Sequence, residues 1–495
     1  MSDITSLLER TTPDDLPAPD IRSLAHRNRR RRARQRGLLA SIAVVTVAAV
    51  VAATGTILSS GQDRPDVTMP AVGPNGEPLT EPVGTWSRAD DPPFSPRVDS
   101  FGGALSDGRI VVWGGNADEG DTPDGVEEIP TGFADGGIID PETGRWEPIP
   151  TAPVPPPTIG GAFMTSAQLV DDRLAVATGS VDGGLHAAVY DVAQGRWIDA
   201  PKLTDFALVY DAMAWDGETL VLVRTRPGAT GWAGDSGLDW SVDAPITLRW
   251  RVGDDDWTTG TPPPFGLRDY IGAAFDGSHL AVWGGSDGTS TLSDGAIYAV
   301  ATDTWERIPE GPLPGRVHAT TAWSAGRFVA GGGLDRLSDA AEYLGDMAAY
   351  DPASQTWESL PPPPDGGLGN PLSTWSFVEG EMTPLVADSK SGSGEPEPRW
   401  FYGPAGWEQA PLGGIIDLGG LIVATLANGN FGSIPYELRV RVGPDAWLDA
   451  AEAPFDSRMG ATTVATSAGQ LVVVGGWEGS DLDPKIDTWV FDLAG

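Results

Sequence analysis

Four arginines are the first candidates for chemistry: Arg97, Arg268, Arg316 and Arg458. Each falls just ahead of a short predicted strand that opens a repeated unit, so stacking the units round an axis would bring the four toward one mouth. A guanidinium presents a planar fork of donors that fits a carboxylate or another oxyanion bidentately. On a chain of formal net charge -37, four such groups at one mouth would make an anion site. The competing role is structural, with the same arginines paired to the chain's abundant Asp and Glu. Trp232 and Trp240 add a second candidate, as stacking platforms for a sugar or peptide. They sit in the 226–244 loop, one of the two longest predicted loops with 116–135, and long loops on a rigid scaffold commonly carry recognition.

Other chemistries are excluded or unsupported. The chain has no cysteine, which removes disulfides, thiolate metal sites and a cysteine nucleophile. Outside the N-terminal tail the histidines are His186, His279 and His318, too sparse without cysteine for a transition-metal centre. Asp171-Asp172 and Asp254-Asp255-Asp256 lack the spacing of a calcium loop and read as solvated turns. Gly284-Gly-Ser-Asp-Gly288 matches Gly-x-Ser-x-Gly formally, but it leaves a strand for a Gly/Ser-rich loop, not a helix. No P-loop and no His-Glu-x-x-His occurs. No catalytic residue, metal site or cofactor is therefore assigned. Beyond residue 60 the balance is 23 basic against 64 acidic residues, which disfavours nucleic acid as a partner.

The elements that must position these residues are repeats. Tryptophans close successive copies at Trp86, Trp146, Trp197, Trp257, Trp305, Trp357, Trp407 and Trp447, with spacings of 60, 51, 60, 48, 52, 50 and 40. A period of about 50 is that of a four-stranded propeller blade. The copy around 270–308 predicts strands at Tyr270–Ala274, His279–Trp283, Ala296–Val300 and Trp305–Ile308. Strand-one candidates number eight, at 100–105, 160–165, 208–214, 270–274, 318–322, 374–378, 414–418 and 459–463. The last copy offers three strands, and the orphan strand at 83–86 would complete it, removing open edges.

The motifs resemble the kelch-repeat β-propeller family. The residues that carry the likeness are the glycine pairs Gly114-Gly115, Gly284-Gly285, Gly331-Gly332 and Gly475-Gly476, and the Tyr350-Asp-Pro-x-x-x-x-Trp357 close. The likeness covers about residues 82–495. It is poor in copies three, six and seven; in three and six, Val223-Arg-Thr and Ala387-Asp-Ser replace the glycine pair. It implies an all-β propeller of eight blades, or seven if the degenerate copies do not both form, whose loop face often binds a ligand. Galactose oxidase resembles this fold, but its cofactor needs a cysteine-linked tyrosine that this chain cannot make.

The N-terminal part reads differently. Residues 1–36 hold nine arginines against five acids and form a basic tail expected in the cytoplasm. Residues 37–58 carry no charge; as a helix they would span about 33 Å, enough for one transmembrane signal anchor. The basic flank sets the orientation, with everything after the anchor exported. Residues 59–82 read as a flexible linker and 83–495 as the propeller. The expected function is a membrane-anchored binding or scaffolding module for a protein or carbohydrate ligand. The alternatives are a sugar-processing enzyme of epimerase or lyase type with an arginine-lined site, and a transmembrane signalling protein with a regulatory tail.

Overall fold

Among the described residues, the second strands of the first and eighth sheets are apolar runs set deep in the core. Ile110–Trp113 and Gln470–Val474 are buried along their whole length. Side chains of a strand alternate between faces, and the burial divides accordingly. Ile110 and Val112 pack with Val472 and Val474. Val111 and Trp113 turn the other way, onto Leu169, Leu174 and Val176. Leu280 and Val282 likewise face Val221 and Val223, whereas Ala281 and Trp283 face Phe328 and Ala330. A sheet with two apolar faces must be covered on both, so the core lies between sheets and not within any one copy.

The computed structural model describes residues 82–117, 132–155, 165–179, 184–203, 211–226, 244–337, 341–342, 344–361, 375–378, 381–384, 399–403, 406–410, 414–418, 421–425, 436–443, 446–456, 458–466, 468–478 and 483–493. The predicted tail and apolar span, and the linker up to residue 81, lie outside these residues. So do Trp232 and Trp240. Among the described residues there is no helix, and none long and apolar enough to cross a membrane.

The architecture is all-β and β-propeller-like. Among the described residues eight four-stranded antiparallel sheets occur, seven of them built from four consecutive strands within 101–149, 165–199, 212–259, 272–308, 320–360, 375–410 and 414–449. The fourth, for example, comprises Gly272–Phe275, His279–Trp283, Gly295–Ala299 and Thr304–Ile308. The eighth joins the two ends of the described chain. Thr462–Ala465, Gln470–Val474 and Thr488–Asp492 are completed by Thr85–Arg88, with Trp86 opposite Phe491. First strands of neighbouring sheets touch from the second sheet through the eighth and back to the first. Gly103 meets Leu169 where the first and second sheets adjoin.

Several sequence expectations shift: the first strands expected at 208–214 and 459–463 run over Ala212–Trp215 and Thr462–Ala465. The first strand of the second sheet is Thr165–Val170, not 160–165. Asp171 and Asp172 are both left-handed (φ 49° and 56°), the pair a two-residue hairpin needs, and that turn fixes where the strand must end. In the fifth sheet the left-handed glycine pair is Gly332-Gly333, because Gly331 still belongs to the strand Arg327–Gly331.

The closing tryptophans do more than fill space. Trp86, Trp146, Trp197, Trp257, Trp305 and Trp357 are half-buried, and the indole N–H of each donates to a carbonyl just past the last strand of the preceding sheet. Trp197 reaches Pro150 O at 2.6 Å, Trp257 reaches Pro201 O at 2.7 Å, and Trp357 reaches Pro309 O at 2.8 Å. Trp146, Trp305 and Trp86 make the equivalent bonds to Asp90, Thr261 and Ala451. The bond is a regular tie between neighbours. Trp357→Phe keeps most of the ring contact and removes the donor, so it is expected to cost about 1 kcal/mol. A urea titration should show a lower midpoint at unchanged slope.

Candidate functional site

In the first, fourth and fifth sheets the chain approaching the first strand meets the loop that leaves the second strand. Val98 bridges Asn116, Asp269 bridges Ser286, and Val317 bridges Leu334. Both loop sets therefore share one end of the sheets. The four arginines lie at this junction. They are buried, Arg316 at 0% exposure and the others at 2–3%.

Each arginine is spent inside its own sheet. Nη1 of Arg97, Arg268, Arg316 and Arg458 donates to the carbonyl of the first left-handed glycine, Gly114, Gly284, Gly332 and Gly475 respectively. The same guanidinium pairs with an aspartate immediately before the third strand: Asp135 at 2.8 Å, Asp294 at 3.0 Å, Asp346 at 2.9 Å and Asp487 at 2.6 Å. In three cases the ring three residues earlier lies beneath it: Phe94, Phe265 and Phe455 at 4.3, 4.2 and 4.9 Å. Burial pulls Arg97, Arg268 and Arg316 below the usual guanidinium value, against the attraction of their aspartates. The structure thus places the four as clamps between the two loop sets, each held by its own sheet.

The partner acids were missed in the sequence, although a signal exists. Pro-Phe-x-x-Arg recurs at Pro93–Arg97, Pro264–Arg268 and Pro454–Arg458, with leucine for phenylalanine at Pro312–Arg316, and in these four sheets an aspartate stands one residue before the third strand. The intervening loop varies in length, so no fixed spacing links arginine to acid.

The second sheet's neighbour departs from the pattern in an informative way. In the third sheet the strand Thr219–Arg224 takes in Val223 and Arg224, so Thr225-Arg226, not Val223-Arg-Thr as expected, stands where the glycine pair would be. A second glycine donates its N–H to the next arginine's carbonyl, as Gly285 does to Arg316 O at 2.8 Å. Thr225 substitutes its hydroxyl, which donates to Arg268 O at 2.9 Å. Arg226 then bridges the buried carboxylates of Asp211 and Asp269. Gly285 itself could not be replaced cheaply: its φ is 92°, and a Cβ there would lie 2.6 Å from Asp269 O.

Two residues past each arginine the backbone turns left-handed: Asp99 (φ 54°), Tyr270 (57°), His318 (55°) and Gly460 (68°). These residues tie neighbouring sheets through the main chain. Asp99 N donates to Gly460 O at 2.8 Å and His318 N to Tyr270 O at 3.0 Å. The Tyr270 and His318 rings lie 4.9 Å apart. Beside them an open depression of about 570 Å³ is lined by Asp269 and Tyr270, by the Ser286–Thr291 loop and by Asp335–Leu337.

Asp99 has no hydrogen-bond or ion-pair partner for its carboxyl among the described residues, and burial pushes it up to about 7. A folded-state value above the unfolded one means the native state holds the proton longer, so stability falls as pH rises from about 4 to about 7. Asp99→Asn, which tolerates the left-handed backbone, is expected to be more stable than the parent at pH 8. The gap should close by pH 4, and thermal melts at the two values check it.

The geometry defines an all-β, β-propeller-like protein with one loop-built end. No protein-family model matches the chain. Over 118 residues, 21% of this chain, it is 33% identical to the Homo sapiens protein named Multiple epidermal growth factor-like domains protein 8. The matched stretch is 4% of that protein's length.

Proposed function

We propose that the chain is a single-pass, membrane-anchored protein whose extracytoplasmic part is an eight-bladed kelch-type propeller acting as a binding or scaffolding module for a protein or carbohydrate ligand. The observation that carries the binding role is the depression at the loop end, where three loops of two neighbouring sheets converge on a rigid frame. Eight blades rather than seven are supported by the eight four-stranded sheets among the described residues, the last completed by the first strand. The kelch likeness is supported by the recurrent left-handed glycine pairs and by the closing tryptophans. The anchor rests on the uncharged run 37–58 behind a basic flank.

In this reading the arginines fix the recognition face, and the 226–244 loop adds Trp232 and Trp240 as further contacts. An enzymatic reading would need the arginines to share a closed pocket with an acid. Each is instead committed to its own glycine carbonyl and aspartate, and the depression is open. Glycan and peptide arrays probed with the full-length chain in lipid nanodiscs test the module. Reproducible hits support it, and silence on both arrays sinks it. The chain's lack of cysteine makes topology easy to test. Single Ser2→Cys and Thr302→Cys variants on intact cells should react with an impermeant maleimide only at position 302; labelling at position 2 would reverse the orientation.

A further inference from the structure

We infer that the depression between the fourth and fifth sheets is a subsite for an uncharged sugar, with Tyr270 as its aromatic platform; the inference rests on the binding-module reading. Its volume, about 570 Å³, is of the size that small-molecule sites have and suits a short oligosaccharide end. Three features select the chemistry.

The first is the hydrogen-bonding character of the wall. Asp287 gathers the protons of its loop: the hydroxyls of Thr289 and Ser290 and their backbone N–H groups all donate to its carboxylate, at 2.7–3.3 Å. The Thr291 hydroxyl donates across the gap to Asp335 O at 3.1 Å. With their protons engaged, these hydroxyl oxygens face a ligand as acceptors. Beside them Arg336 is paired with Asp335, an exposed planar donor–acceptor couple. Vicinal sugar hydroxyls, each both donor and acceptor, match such a mixed wall.

The second is charge. Among the described residues Asp269, Asp287 and Asp335 outnumber Arg226 and Arg336 around the depression, and the whole chain is at -37. A carboxylated or sulfated ligand would be repelled; an uncharged one would not.

The third is Tyr270 itself. Asp, His and Gly at the equivalent positions tolerate a left-handed backbone, but a bulky aromatic does so only under strain. Gly460 shows that the tie between sheets needs no side chain at this position. The main-chain tie therefore does not call for the ring. The ring is braced by His318 at 4.9 Å and lines the depression. At the rim Leu337, 42% exposed, is the exposed large hydrophobic residue among those described, and it offers an apolar surface to the C–H face of a sugar ring.

The test titrates full-length chain in lipid nanodiscs with neutral gluco-, manno- and galacto-trisaccharides, and with a uronic-acid trisaccharide as the charged control, by calorimetry. Binding of at least one neutral trisaccharide is expected. Tyr270→Gly should weaken it by about tenfold, the factor that corresponds to one aromatic contact, while the thermal midpoint stays in place. Arg336→Ala, a change at an exposed side chain, supplies a second variant should the glycine variant fold poorly, and should weaken binding several-fold. Equal affinity for the uronate, or neutral binding untouched by both variants, overturns the subsite. No sugar bound but a peptide captured on the array overturns the sugar assignment and spares the module. No ligand of either kind removes both.

Discussion

Arg316→Ala is expected to lower the free energy of unfolding by about 3 kcal/mol, the lower end for breaking a buried ion pair. The side chain is fully buried, and three of its nitrogens are committed. Nε donates to Pro314 O at 3.1 Å, Nη1 to Gly332 O at 2.9 Å, and Nη2 pairs with Asp346 at 2.9 Å. Removing it strands the glycine carbonyl and a carboxylate and leaves a cavity beside Trp283. The estimate stays at the lower end because the Asp346 side chain is 44% exposed and water takes over part of its solvation. Arg316→Lys restores the charge but cannot reach all three acceptors, so it should recover less than half of the loss. Asp346→Asn, which keeps an acceptor oxygen, should cost about 1 kcal/mol. Urea titrations of the three variants decide the matter. A loss under about 1 kcal/mol for the alanine variant would show that the clamp does not hold the loops.

Trp86→Ala should be comparably damaging, at about 3 kcal/mol. Trp86 belongs to the strand that completes the eighth sheet. Its ring packs at 5.2 Å on both Phe455 and Phe491 and at 5.9 Å on Tyr436, and its N–H reaches Ala451 O at 2.9 Å. The substitution removes the side chain that seals the junction of the chain's two described ends. A chain starting at Ala89 removes the strand as well and exposes the Thr488–Asp492 edge, so it should aggregate on expression. Thermal melts of the point variant and sedimentation of the truncated chain check the two statements. A truncated chain that stays monomeric with an unchanged midpoint would make the closing strand dispensable.

Much of this is legible in the sequence. The strands of the fourth sheet fall within two residues of the sequence reading, because alternating small and apolar residues bounded by Gly and Asp leave few registers. The completing strand was legible for the same reason: three strands at one end and one at the other leave matching edges. The second sheet's first strand was misplaced because 160–165 and 165–170 both carry small apolar residues. Only the positive-φ pair Asp171-Asp172 separates them, and φ is a property of the folded turn.

The arginines show the limit most clearly. Composition and position made them candidates for an anion site or for structural pairing. Which aspartate each takes depends on a loop of variable length returning to the same spot, and burial depends on the neighbouring rings. The sequence by itself determined the repeat, the two-faced sheets and the supply of polar side chains at one end, since periodicity and turn chemistry act locally. Only the tertiary structure decided that Arg97, Arg268, Arg316 and Arg458 turn inward as clamps, and that Tyr270, the Ser286–Thr291 loop and Asp335–Leu337 come together as a depression. Those outcomes depend on contacts between residues far apart in the chain, where packing and desolvation, not local preference, set the geometry.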